Sequence, residues 1–217
     1  MILIKNGKIM TMAGTTYDPG SLLIKDGKIA KIGTTIEIRD QHEISEVIDA
    51  TGCWVMPGLI ESHCHIGITE EKKGFEGDDC NEMKDPVTPY IRGLDAINPM
   101  DSAFHNAISA GITSMMVGPG SSNIVGGQFV FIKANGRSVD DMVVLQPAAM
   151  KVGLGENPKS TYSELGIKPS TRMTIAALLR KELFNAKLYQ KNKEKAEESG
   201  EEFEEDFKME CWLPVLR

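Results

Sequence analysis

Short runs of β-branched and aliphatic residues, punctuated by Asn-Gly and Asp-Gly, dominate the first fifty positions. Ile2-Leu3-Ile4-Lys5-Asn6-Gly7-Lys8-Ile9 returns as Leu22-Leu23-Ile24-Lys25-Asp26-Gly27-Lys28-Ile29. Asn-Gly and Asp-Gly supply the positive φ angles of a two-residue type I′ turn, so each copy predicts a hairpin. A further strand is expected around Glu46 to Ile48, just before Asp49-Ala50-Thr51-Gly52. Residues 1–52 therefore read as a small antiparallel β unit.

From residue 53 the pattern changes to apolar runs that end in glycine-rich loops and alternate with helical spacing, which suggests βα units and a parallel sheet. The first run, Trp54 to Ile60, leads into His63-Cys64-His65. Asp101 is placed to cap a helix through about Ala110, with Gly111 as its left-handed stop. Ile112 to Val117 predicts the next buried strand, followed by Gly118-Pro119-Gly120, and Phe129 to Ala134 a side strand closed by Asn135-Gly136. Ser138 with Asp141 marks a short helix that Pro147 ends, and Ala148 to Leu154 reads as a third strand of the parallel set. The stretch from Gly67 to Pro99 is long and acidic, so a solvated insertion is the default expectation and a lid the alternative.

Beyond Ser170, Ile175, Leu178, Leu179, Leu183 and Ala186 recur at three- and four-residue spacing, which predicts an amphipathic helix. Eight acidic residues fall within 13 positions from Glu194 to Asp206, a density that favours a solvated face or connector over a binding device. Phe203, Phe207 and Cys211 mark one face of a second helix, and the apolar end from Trp212 reads as the approach to another strand. These helices are expected to cover part of the sheet.

Composition narrows the classes. At 217 residues, 41% hydrophobic and 25% charged, the chain is globular rather than collagen-like or disordered, and it can bury a real core. A complete eight-unit α/β barrel takes about 250 residues, so a barrel with an extra domain does not fit within it. The net charge of −7 argues against nucleic-acid binding, which needs clustered Lys and Arg. The N-terminal apolar run stops at Lys5, too short for a secretory signal, and no stretch approaches the roughly 18 apolar residues of a membrane span. Cys53, Cys64, Cys80 and Cys211 form no CxxC pair, as expected of reduced thiols in a cytoplasmic protein. Small-molecule partners are expected, with no nucleic acid and no membrane.

The chemistry concentrates in Pro57-Gly58-Leu59-Ile60-Glu61-Ser62-His63-Cys64-His65. In a strand, residues i and i+2 share a face, so both imidazoles can meet one ion while Cys64 turns away. Imidazole suits Zn, and also Fe or Mn with suitable companions. The position after a buried strand is where α/β barrels place reactive groups.

The run from Ile2 to Pro158 resembles the amidohydrolase superfamily. Val55-Met56-Pro57-Gly58-Leu59-Ile60-Glu61-Ser62-His63-Cys64-His65 is similar to its first-strand metal motif, Ile48-Asp49-Ala50-Thr51-Gly52 to the passage from sandwich to barrel, and Ala110-Gly111-Ile112-Thr113-Ser114 to its second-strand segment. Gly118-Pro119-Gly120, Gly126-Gly127-Gln128 and Gly155-Glu156-Asn157-Pro158-Lys159 resemble the imidazolonepropionase-related group. The resemblance implies an α/β fold: an incomplete (β/α)8 TIM-type barrel of about three barrel strands over 53–169, part of a composite β-sandwich over 1–52, and a helical segment over 170–217. It also implies that His63 and His65 bind a divalent metal, Zn before Fe or Mn, that activates water against a non-peptide C–N bond, with cyclic amides among the candidate substrates.

The family adds a ligand from a middle strand, either a carboxylate or a carboxylated lysine. Two residues compete for that place. Glu156 sits just past a strand and ligates without modification, so it is favoured; Lys151 lies in Ala148-Ala149-Met150-Lys151-Val152, where burial is costly unless the lysine is neutralised or modified. Asn123 and Gln128 are candidate substrate contacts, with a plain turn the competing reading. His42 and His105 read as surface or packed side chains. No histidine follows His105, so later-strand ligands and the late acid/base aspartate of the family have no counterpart here. The expectation is an N-terminal, inactive part of an amidohydrolase that acts on a small amide-type substrate, with possible self-association through an exposed sheet edge. The alternative is a non-catalytic amidohydrolase-like scaffold.

Overall fold

The computed structural model describes residues 1–38, 41–71 and 73–216, which fall into two units, Met1–Gly58 and Leu59–Arg217. In the first, β1 (Ile2–Met10), β2 (Thr16–Lys25) and β3 (Lys28–Gly33) pair antiparallel. Asp26-Gly27 makes the expected turn, with φ of 52° and 71°. Asn6-Gly7 does not. β1 runs straight through it, because β4 (Glu46–Asp49) and β5 (Trp54–Val55) both lie parallel along its other side. Asn6, at φ 64°, takes up a bulge, and its Nδ2 donates to Asp49 Oδ1 at 3.1 Å. The turn between β4 and β5 crosses Gly7 so closely that a Cβ there would lie 2.9 Å from that of Ala50. This sheet is thus mixed rather than antiparallel.

The apolar run expected as one strand over Trp54 to Ile60 is split between the two units. Trp54 and Val55 belong to β5; after Met56-Pro57-Gly58 the chain begins β6 (Leu59–Cys64) in a second sheet. Proline has no N–H to donate to a ladder, which explains the break.

The second sheet has the order β6, β7 (Ile112–Val117), β8 (Val125–Lys133) and β9 (Val143–Val152). β6 and β7 are parallel, but β8 is antiparallel to both of its neighbours. The segment expected as a side strand from Phe129 is therefore a central strand beginning at Val125. Gly126 and Gly127 weaken its strand signal, yet Gly127 is needed sterically and Gly126 sits in a tight place. A Cβ on Gly127 would fall 2.3 Å from Ile91 O, and one on Gly126 3.2 Å from Lys151 Cγ.

α1 (Ser102–Ser109) follows its sequence signals: Asp101 accepts from Ala103 N at 3.1 Å, and Gly111 takes φ 86° after the C-cap. Because Asp101 also receives Glu71 N at 3.3 Å, Asp101→Ala is expected to lower the unfolding free energy by about 1–2 kcal/mol, read from the urea midpoint. Ser138 caps α2 (Val139–Met142). Pro147 does not end that helix; it lies within β9, an edge strand, at a register irregularity where a missing donor is tolerated.

One apolar core covers one face of this sheet, built from Met115, Val117, Val130 and Ile132 against Phe104 and Ala107 of α1, with Ile68 and Ile97. The last two show that the segment from Gly67 to Pro99 is not a solvated insertion. It folds back on β8, with Thr88 N donating to Val125 O (2.9 Å) and Gln128 N to Ile91 O (2.7 Å).

α3 (Glu156–Glu164) precedes α4 (Arg172–Ser199), whose expected apolar stripe packs as predicted. Ile175 and Ala186 are buried with Val87, Ile124, Val125 and Trp212, and Leu178, Leu179, Leu183 and Met150 lie against them. The helices thus cover part of the sheet. Gly200 ends α4 at φ 71°. The second helix is shorter than expected: α5 spans only Phe207–Glu210, and Phe203 precedes it in irregular chain. The apolar end is not a strand approach; Trp212 is buried and Leu213–Val215 forms a 3-10 turn. Among the described residues no helix is long and apolar enough to cross a membrane.

Candidate functional site

Strand alternation sorts β6 as its sequence predicts. Cys64 packs against the apolar core and its thiol points to Met116 O at 3.5 Å. His63 and His65 project from the opposite face, with ring centroids 5.0 Å apart in an edge-to-face arrangement. His65 Nδ1 donates to Gly118 O at 2.7 Å; the carbonyl can only accept, so the proton sits on Nδ1 and Nε2 carries the lone pair. Glu61 Oε1 accepts the backbone N–H of His63 at 3.0 Å, which ties the motif's carboxylate to its own strand.

The third side chain arrives from β9. Lys151 Nζ lies 2.9 Å from His63 Nε2 and 5.7 Å from the ring centroid of Phe129, whose centroid is 5.4 Å from that of His63. Lys151 faces Gly127 across the β8–β9 ladder, and the small Ala149 faces Phe129, leaving room for both the lysine stem and the ring. Partial burial depresses the Lys151 ammonium below its ordinary value. His63 is likewise held below the ordinary imidazole value of 6.5, first by lost hydration, then by the positive charges of Lys151 and His65.

The structure brings His63, His65 and Lys151 together and leaves Glu156 elsewhere. Gly153 to Gly155 turn the chain after β9, so Glu156 opens α3, where its exposed carboxylate lies 3.6 Å from Lys159 Nζ. Among the described residues no three His, Cys, Asp or Glu side chains converge as a metal site. A divalent ion fits this donor set on the chemistry of its nitrogens: the His63 imidazole, whose proton affinity burial lowers, the His65 imidazole, whose tautomer Gly118 sets, and an amine held partly dehydrated.

Asn123 and Gln128 are tied up structurally. Asn123 is 1% exposed and its Nδ2 donates to Asp85 O at 2.7 Å; Gln128 Nε2 donates to Pro89 O at 3.2 Å while its Oε1 receives Gln146 Nε2. Gln128 fastens the 67–99 segment to β8, and Asn123 fastens it to the loop that leads into β8. His105 is exposed on α1 with Nδ1 3.3 Å from Ser109 Oγ, and His42 lies in the 3-10 turn Gln41–Glu43. Sequence reasoning passed over Phe129 and Gly118 as site residues. Gly118 had a signal in Gly-Pro-Gly; Phe129 had none, because nothing in a sequence reveals that residues 63, 129 and 151 meet.

No family model matches the chain. Among solved structures it is similar to an amidohydrolase from Thermotoga maritima MSB8, with 42% identity, a TM-score of 0.92, and coverage of 100% of this chain and 56% of that one. Among curated relatives, Amidohydrolase tasK of Hapsidospora irregularis is 32% identical over 167 residues, 71% of this chain and 17% of the relative. D-hydantoinase of Geobacillus stearothermophilus is 47% identical over 78 residues, 34% of this chain and 15% of the relative. The chain therefore spans under a fifth of these two relatives and about half of the solved structure.

Proposed function

The chain belongs to the amidohydrolase superfamily, and we propose that it supplies the metal-binding strands of a hydrolase acting on carbon–nitrogen bonds other than peptide bonds, with cyclic amides as the substrate class. The observation that carries this reading is the convergence of Lys151 Nζ on His63 Nε2 at 2.9 Å, beside His65 on the same strand face. His63, His65 and Lys151 would hold the ion, with Zn favoured over Fe or Mn for this donor set. When bound, a divalent cation supplies Lewis acidity that polarises a carbonyl and makes water nucleophilic near neutral pH. The substrate class follows the relative whose name specifies hydantoin, a cyclic amide.

In this reading Lys151 takes the ligand place rather than Glu156. A lysine whose burial favours the neutral amine can add carbon dioxide: the nitrogen lone pair forms an N–C bond, a proton leaves to solvent, and the resulting carbamate presents oxygen donors. Gly118 O holds His65 in the tautomer that leaves Nε2 available, and Glu61 holds the backbone at His63. Hydrolytic turnover needs acid and base groups on both sides of a substrate. The convergent set, two imidazoles and Lys151 or its carbamate, is engaged in holding the ion, so the 217 residues alone are expected to capture metal without measurable turnover of hydantoin.

Lys151→Ala and Glu156→Ala separate the competing ligands. With 13C-bicarbonate supplied, the unaltered chain and the Glu156→Ala variant are expected to show a carbamate carbonyl resonance that Lys151→Ala lacks. Lys151→Ala should also weaken Zn binding by more than about 10-fold. Unchanged Zn affinity in Lys151→Ala together with loss in Glu156→Ala would reverse the assignment.

A further inference from the structure

Phe129 is 4% exposed, yet it joins neither apolar core of its unit. Its ring lies instead on the opposite face of β8, under the His63 ring at 5.4 Å between centroids and under Lys151 Nζ at 5.7 Å. On its other flank it meets Gly118, where a Cβ would fall 2.4 Å from Phe129 Cγ and within 2.6 Å of both Cδ atoms. Only a glycine lets the backbone rest on the ring at that distance. The same Gly118 presents the carbonyl that receives His65 Nδ1 at 2.7 Å. A single aromatic ring thus touches, directly or through one residue, all three nitrogen donors.

Resting on the metal-centre reading, we infer that Phe129, seated on the Cα of Gly118, is a positioning residue that sets the placement of His63 and Lys151 and, through the Gly118 carbonyl, the orientation of His65. A flat ring does this better than an aliphatic side chain. It has few rotamers and its face is continuous, so a shift of the ring moves two donors together. The Gly118 backbone transmits the same shift to the third.

The test uses the full 217-residue chain and cobalt(II), whose visible bands report coordination, with affinity measured by competition against a chromophoric chelator. Phe129→Leu is expected to weaken cobalt binding about 10- to 100-fold and to change the band shape, the range found when groups behind metal ligands are altered, while the metal-free melting temperature moves little. Gly118→Ala is expected to do the same by displacing the ring. Because the methyl added in Gly118→Ala collides with the Phe129 ring, the Gly118→Ala loss should almost vanish in a Phe129→Ala background, a non-additivity that independent packing defects do not produce. Additive losses, or an unchanged affinity and spectrum in Phe129→Leu, overturn the inference; the leucine variant decides alone if Phe129→Ala does not fold. An unaltered chain that takes up no cobalt overturns the metal-centre reading and this inference with it, a result distinct from normal uptake that the Phe129 variants leave untouched.

Discussion

The His63→Ala/His65→Ala double variant is expected to retain no divalent metal above background by elemental analysis, where the unaltered chain carries Zn, Fe or Mn at near-stoichiometric level. Both rings project from one face of β6 with centroids 5.0 Å apart, and imidazole is the donor that such an ion prefers. The pH dependence has a definite sign. Burial, then Lys151, then His65 hold His63 below the ordinary 6.5, so its ring takes up a proton at more acidic pH than an unperturbed imidazole does. Protons therefore displace metal from His63 only at more acidic pH than an unperturbed imidazole would require. Metal uptake that survives the double substitution would contradict the assignment.

Trp212→Ala is expected to be the most destabilising single change in the second unit, at about 3–5 kcal/mol by urea unfolding. Trp212 is 1% exposed and fills the space between Ile124 and Val125 at the entry to β8, Val87 of the folded-back segment, and Ile175 and Ala186 of α4. Its removal leaves a cavity where three parts of the chain meet. Trp212→Phe should cost far less, because it keeps most of the apolar volume and removes an indole N–H that is buried without a hydrogen-bond partner among the described residues. Equal losses in the two variants would show that packing volume is not what Trp212 contributes.

The sheet-covering role of Trp212 was invisible in the sequence, where the terminal apolar run looked like the start of a strand. Its fate was decided by the exposed apolar surface that β8 and α4 present to it. The two Asn-Gly-like turns make the same point. Asp26-Gly27 turns a hairpin where no described atom lies within 4 Å of a Cβ at Gly27, whereas Asn6-Gly7 bulges within β1 because β4 and β5 occupy the flank of that strand. A dipeptide supplies permission for positive φ, and neighbouring strands determine what is done with it.

Local rules were sufficient wherever the relevant partner lay within a few residues. Asp101 capping α1, Gly111 in left-handed conformation, the strand at Ile112–Val117, the apolar stripe of α4, and the shared face of His63 and His65 all follow from capping chemistry or from the two- and 3.6-residue periods. Everything that depends on distant segments meeting was settled by the tertiary structure. The antiparallel insertion of β8 carries Phe129 beneath His63, and its ladder with β9 delivers Lys151 rather than Glu156 to the imidazoles, although 88 positions separate the lysine from His63. The reason is physical: strand periodicity dictates which face a side chain takes, but strand order and register dictate which side chains share it, and those are set by long-range hydrogen-bonded pairing.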